Sequence, residues 1–250
     1  MHLSPPQKQQ LLGAVVEAAQ GRVPVVPCAS DSHPAGVIAF ARFARQCGCP
    51  AVIACPPYYF RFSQEEIKAF FNRVADSIPL PLLLYDIPQF TNSIEPETVA
   101  LLSRHPNIAG IKESSGNLHR LRQILEQQDK PGFAVLIGPD ELVLPSVLAG
   151  ARACVSGTSN IVPEALVALF DSIRSGHLNT AKLLQNEIIR LIQHLSQFNF
   201  PTGFKIAAEC RGHELGDLKQ VLSSGQKDGL TRFKRETSDL IKELLERISR

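Results

Sequence analysis

The chain has 250 residues, 44% of them apolar, enough to bury the core of one large domain or one α/β barrel. Its 26 basic and 24 acidic residues leave a formal net charge of +2, which gives no electrostatic case for nucleic acid or a membrane surface as partner. No apolar run approaches the length of a bilayer span, and residues 1–12 are polar, without a signal-peptide core.

The first element in chain order is a helix over residues 4–20, opened by Ser4-Pro5-Pro6, an N-cap followed by proline. A strand is expected at 24–30 and another at 51–57, with a helix between them. Ser63 before Glu65-Glu66 is the N-cap of the next helix, which carries Ile67, Phe70, Phe71 and Val74 on one stripe. Strands follow at 80–88, 108–114, 133–138 and 153–158. Glu95-Pro96-Glu97 opens the helix after the first of these, Asn117 caps the second and Pro163 starts the last. Gly21, Gly48 and Gly150 each sit between a helix and a strand, where a left-handed C-terminal cap is needed.

The six strand candidates show little polar alternation, the pattern of strands buried on both faces in a parallel sheet. Their starts are 20 to 29 residues apart, as in a doubly wound sheet or a (β/α)8 barrel. A closed barrel has eight strands. Either the sheet is open, or two strands are missing from the front. Only helices are expected after Arg174. Six cysteines are present, and none of their spacings matches a zinc pair of pairs. Free thiols in a reducing compartment are the expectation, which places the protein in the cytoplasm, although an organelle matrix would look the same.

Functional residues of parallel α/β proteins gather at the C-terminal ends of the strands. Those ends read Cys55-Pro56-Pro57-Tyr58-Tyr59, Leu84-Tyr85-Asp86-Ile87-Pro88, Gly110-Ile111-Lys112-Glu113-Ser114-Ser115-Gly116, Ile137-Gly138-Pro139-Asp140-Glu141 and Val155-Ser156-Gly157-Thr158-Ser159-Asn160. All three tyrosines of the chain fall there. Lys112 is a cation in an otherwise apolar strand. It either snorkels to water or lies where desolvation favours the neutral amine that attacks a ketone. Tyr85 ends the preceding strand; it is either a phenol placed near that amine, able to serve as a proton shuttle, or an aromatic that covers the barrel mouth. No G-x-G-x-x-G or P-loop follows any strand, which argues against nucleotide binding.

Tyr85-Asp86-Ile87-Pro88, followed one strand later by Gly110-Ile111-Lys112-Glu113-Ser114-Ser115-Gly116, resembles the dihydrodipicolinate synthase/N-acetylneuraminate lyase family of pyruvate-dependent class I aldolases. Pro56-Pro57-Tyr58-Tyr59 and Gly157-Thr158-Ser159-Asn160 fit the same pattern, and the likeness runs from Leu3 to about Cys210. The resemblance implies an α/β fold, a (β/α)8 TIM barrel that in this chain lacks its first two strands. Residues 1–174 would form strands 3–8 of the barrel and residues 175–250 a C-terminal helical extension packed on it. It implies that Lys112 is the Schiff-base lysine and Tyr85 the acid/base tyrosine. Tyr59 corresponds to a tyrosine that reaches across a subunit interface into the proton relay, or it is an interface aromatic without chemistry.

By the same resemblance the backbone of Val155 lines the pyruvate pocket. Gly138, Asp140 and Glu141 contact the distal part of the substrate, although the two acids equally suit the first turn of the following helix. Phe90 stands where the synthase branch has an arginine for the carboxylate of its second substrate, and phenylalanine cannot pair with a carboxylate. The expected activity is a lyase acting on pyruvate or a sugar-derived 2-oxo acid. The alternatives are dihydrodipicolinate synthase, a 2-oxo acid dehydratase, or an inactive homologue. No cofactor beyond the imine on Lys112 and no metal is expected. The partners expected are a small-molecule substrate and further copies of the chain, as a dimer or tetramer. The segment holding the pyruvate carboxylate in the family would precede Met1.

Overall fold

The computed structural model describes residues 3–218 and 220–248. Helices and strands alternate through the first part of the chain: α1 (Pro5–Ala19), α2 (Pro34–Gln46), β1 (Val52–Ala54), α3 (Gln64–Ser77), β2 (Leu82–Asp86), α4 (Pro96–Ser103), β3 (Ile108–Glu113), α5 (Leu118–Gln127), β4 (Ala134–Ile137), α6 (Val143–Ala149) and β5 (Ala153–Cys154). Helices α7 (Pro163–Arg174), α8 (Leu178–Leu195), α9 (Thr202–Cys210) and α10 (Ser224–Ile248) follow. The strands form one sheet in the order β1-β2-β3-β4-β5, with β1–β2 and β2–β3 parallel. This sequential order with helical crossovers is the arrangement of a β/α barrel wall.

The capping residues do what their chemistry allows. The Ser63 Oγ accepts the Glu66 N–H at 3.3 Å while Glu66 Oε2 accepts the Ser63 N–H at 2.8 Å, a reciprocal pair that satisfies two open donors of α3. Asn117 Oδ1 accepts the Arg120 N–H at 3.2 Å. Gly21, Gly48 and Gly150 have φ of +72°, +81° and +118°, as their places after helices require.

Each expected strand comes out shorter than its run, and the first and the last barely pair. The run 24–30 pairs only at a Cys28–Ile53 bridge, with Ala29 N–H to Ile53 O at 2.8 Å and Ile53 N–H to Pro27 O at 3.0 Å. Pro27 has no N–H to make the next rung, so the pairing cannot lengthen toward residue 24. The run 153–158 is regular only at Ala153–Cys154. Val155 adds one bond, its N–H to Ile137 O at 2.9 Å, before the chain turns into a 3-10 turn at Thr158–Asn160.

Two compact units are present. The first runs through Leu136 and includes Gly150–Ala153; the second takes Ile137–Ala149 and the described chain from Cys154 onward. In the first, Val52, Leu82, Leu84, Ile108 and Ile111 are fully buried, as are Ile67, Phe71 and Val74 of α3 and Leu121 of α5. In the second, Leu169, Ile188 and Leu195 form the middle of a helical core, joined by Leu244 of α10 at 1% exposure.

Candidate active site

The two sides of β2 and β3 differ. Leu84, Asp86, Ile111 and Glu113 are 0% exposed, whereas Tyr85 and Lys112 are only half-buried. Adjacent residues on a strand point to opposite faces, so each strand end offers one sealed and one accessible position. Register decides which residues meet. Leu82 pairs with Ile108, but Leu83 pairs with Gly110, so the ladder slips by one residue at Ala109. From there Tyr85 lies opposite Lys112 and Asp86 opposite Glu113. Without the slip, Tyr85 would face Ile111.

Lys112 Nζ donates to the Tyr85 hydroxyl at 3.1 Å and lies 4.2 Å from the centre of the Tyr85 ring. An amine and a phenol at hydrogen-bond distance can exchange a proton directly. Tyr59, in the loop after β1, is 91% exposed and has a φ of +83°, a conformation uncommon for a bulky residue. Its ring meets Phe60 edge-on, centroids 4.9 Å apart. Tyr58, beside it, has its hydroxyl pushed above the ordinary tyrosine range by burial and by the nearby Asp31 carboxylate. Phe90, in the loop after β2, is 64% exposed.

Behind this face lies a charged cluster that the sequence did not single out. Arg120 of α5 donates to Asp86 Oδ2 at 3.1 Å, to Glu95 Oε2 at 2.9 Å and to the Ile94 carbonyl. Burial pushes the Asp86 carboxyl up, against the pull of the Ile94 amide and Arg120. Burial works against the Arg120 charge, but Asp86 and Glu95 outweigh it and hold the guanidinium above its ordinary value. Burial also raises Glu113, whose Oε1 accepts the Ser115 N–H at 2.9 Å and whose Oε2 has no hydrogen-bond partner. Asn92, 5% exposed, ties the loop after β2 to the loop bearing Tyr59: its Nδ2 donates to Pro57 O at 2.7 Å and Phe60 O at 2.8 Å, and its Oδ1 accepts from Phe62 N–H at 3.1 Å. An acid in a buried strand, Asp86, is the sequence signal that a cation must come to it. Which cation comes is a tertiary matter.

The remaining candidates belong to the second unit. Asp140 is 5% exposed, and its Oδ2 accepts both the N–H of Thr158 at 2.8 Å and its hydroxyl at 2.9 Å. Its carbonyl accepts from Gln185 Nε2 of α8 at 2.9 Å, while Gln185 Oε1 takes the Leu144 N–H at 2.8 Å. Asp140 thus fastens the Thr158 turn. Glu141 is exposed in the first turn of the 3-10 segment Asp140–Leu142. Gly138 is half-buried, and Val155 is 45% exposed with its N–H committed to Ile137. Cys154, near Asp140, is pushed up to about 11 by burial and by that carboxylate. Among the described residues no His, Cys, Asp or Glu cluster is placed to hold a metal, and no helix is long and apolar enough to cross a membrane.

A parallel β/α wall with an amine and a phenol side by side at neighbouring strand ends defines an enzyme of the aldolase type. The chain belongs to the dihydrodipicolinate synthetase family, whose sequence profile matches residues 1–239. It is 34% identical to the 4-hydroxy-tetrahydrodipicolinate synthase of Methanosphaerula palustris over 214 residues, 85% of this chain and 73% of that protein. The corresponding synthase of an Exiguobacterium species is 33% identical over 217 residues, 86% of this chain and 74% of its own length. The solved 4-hydroxy-tetrahydrodipicolinate synthase of Methylacidiphilum fumariolicum superposes with a TM-score of 0.90 at 30% identity, over 99% of this chain and 83% of that one. The chain is therefore a member of a family of pyruvate-dependent lyases of the class I aldolase type, on a TIM-barrel fold with a C-terminal helical extension.

Proposed function

We propose that the chain makes or cleaves a carbon–carbon bond next to an imine formed between Lys112 and pyruvate or a sugar-derived 2-oxo acid. The observation that carries this reading is the 3.1 Å contact between Lys112 Nζ and the Tyr85 hydroxyl. The neutral amine attacks the C2 carbonyl, the carbinolamine loses water, and the iminium accepts the electron pair released when a C3 bond breaks. In the condensing direction C3 loses a proton, and the resulting enamine attacks an aldehyde. Tyr85 carries protons to and from the carbinolamine oxygen and the new hydroxyl. The reaction needs no cofactor beyond this imine.

Val155, Gly138 and Glu141 are the proposed substrate contacts in the second unit. Asp140 acts there by holding the Thr158 turn, with only Oδ1 left without a protein partner. Tyr59, left-handed and exposed, is the proposed contact between copies in a dimer or tetramer, where it joins the relay. A cytoplasmic location fits the free thiols of all six cysteines.

Incubation with pyruvate and borohydride tests the reading: one adduct is expected, on Lys112, and none in Lys112→Ala. Labelling spread over surface lysines would remove its basis. A second reading, condensation of pyruvate with an acidic semialdehyde, is favoured by the name of the relatives. Phe90 speaks against it, because an apolar ring offers a carboxylate nothing to pair with. Product analysis with aspartate semialdehyde against uncharged aldehydes separates the two.

A further inference from the structure

The charged cluster behind the Lys112–Tyr85 pair is not used by the chemistry above. Asp86 follows Tyr85 and faces the other way, with no exposed surface. Arg120, whose side chain is 12% exposed, brings three acceptors together: Asp86 Oδ2, Glu95 Oε2 and the Ile94 carbonyl. Asp86 Oδ1 accepts the Ile94 N–H at 3.0 Å. Both backbone polar groups of Ile94 are thus held, one by Asp86 and one by Arg120. The loop 87–95 is closed on the end of β2. Its middle is held as well, by Gln89 Nε2 to Ser115 O at 3.1 Å and by the Asn92 bonds to Pro57, Phe60 and Phe62.

Side chains 85 and 86 leave the same two turns of pleat in opposite directions, so anchoring one fixes the origin of the other. A twist at the end of β2 that freed Asp86 would carry the Tyr85 phenol away from the amine. We propose that Arg120 is a positioning residue of this site: acting through Asp86 and Ile94, it fixes the 87–95 loop and the placement of the Tyr85 hydroxyl beside Lys112. Its planar fork meets acceptors in several directions, which the point charge of lysine does not reproduce. The chemical half of the inference rests on the proposed imine reaction; the structural half does not.

The test uses the whole chain with Arg120→Met, Arg120→Lys and the double variant Asp86→Asn/Arg120→Met. Three quantities are read: hydrogen exchange of peptides covering 87–95 without ligand, the rate of borohydride-trapped pyruvate adduct, and thermal unfolding. R120M is expected to speed exchange in 87–95 and to slow trapping toward about 10²-fold, the size of effect that a misplacement near 1 Å produces. R120K restores the charge but not the exchange protection, and it keeps the idea testable should R120M fail to fold. The double variant removes the buried Asp86 carboxylate together with its cation, so it should regain thermal stability while trapping stays slow. Unchanged exchange in 87–95 overturns the inference. Recovery of trapping together with stability in the double variant also overturns it, since Arg120 would then be structural only. Absence of any wild-type adduct on Lys112 overturns the imine reading instead, and exchange alone then decides whether Arg120 fixes the loop.

Discussion

Tyr85 and Asp86 show how much two adjacent side chains can differ in role. One is accessible and touches an amine; the other is sealed and holds a guanidinium. Tyr85→Phe keeps Lys112 and removes only the hydroxyl. The adduct should still form on Lys112, while turnover falls by about 10²–10⁴-fold, the usual worth of a positioned acid–base group. Steady-state rates beside the mass of the trapped protein check this. Glu113 permits a prediction in pH. Burial raises its carboxyl above the ordinary value of 4.5, so between that value and its folded one the native state holds a proton that the unfolded chain has lost. Stability from this group is therefore present at low pH and falls as pH rises through the window. Glu113→Gln removes that titration. Melting temperatures from roughly pH 4 to pH 8 should move in favour of the variant as pH rises. A difference that does not depend on pH would show that Glu113 is not the group responsible.

Among the elements, β3 is set by two residues without large side chains. Ala109 absorbs the one-residue slip that brings Lys112 opposite Tyr85. Gly110 lies so close to β4 that an added Cβ would run into the Ala134 carbonyl oxygen and approach Leu83 Cδ2 at 3.0 Å. Glycine inside a strand marks such close approach. Gly110→Ala is expected to cost about 1–3 kcal/mol as overpacking. At about 2–4 °C per kcal/mol, a thermal melt resolves it. The same strain would loosen the pairing beside Lys112, so the trapping rate should drop along with the melting temperature.

At the scale of the whole molecule, the chain passes between its two units at 136/137, 149/150 and 153/154. No single cut separates them. Within the second unit, α8 is not an appendage: Gln185 holds the backbone of Asp140 and Leu144, and Ile188, Leu191 and Leu195 are buried at 0–2% exposure. A chain ending at Arg174 would strip α8 and α10 from α7, on which both pack, and leave the Asp140 turn without its glutamine. Losing the burial of four or five core side chains, each worth about 1.5–3 kcal/mol, is comparable with the whole stability of a typical domain, about 5–15 kcal/mol. The shortened chain is expected to show no cooperative melt by circular dichroism. A melt within a few degrees of the full chain would mean that the second unit does not depend on α8–α10.

Local chemistry was enough to write down much of this protein from its sequence. Period and caps located α3, α5 and α7, since Ser63, Asn117 and Pro163 act on their nearest backbone groups. The strand-end positions of Lys112 and Tyr85 were also legible, because a cation inside an apolar run and an aromatic at the end of another stand out against their neighbours. The extent of the 24–30 and 153–158 strands was not, since ladder length depends on what each partner can donate and accept. Nor was the slip at Ala109, which alone decides whether Tyr85 meets Lys112 or Ile111. The commitment of Asp140 to Thr158, and of Arg120 to Asp86, joins residues 18 and 34 positions apart. Sequence fixes the charge of such groups and their need for a partner; only tertiary packing brings one particular partner within hydrogen-bond distance.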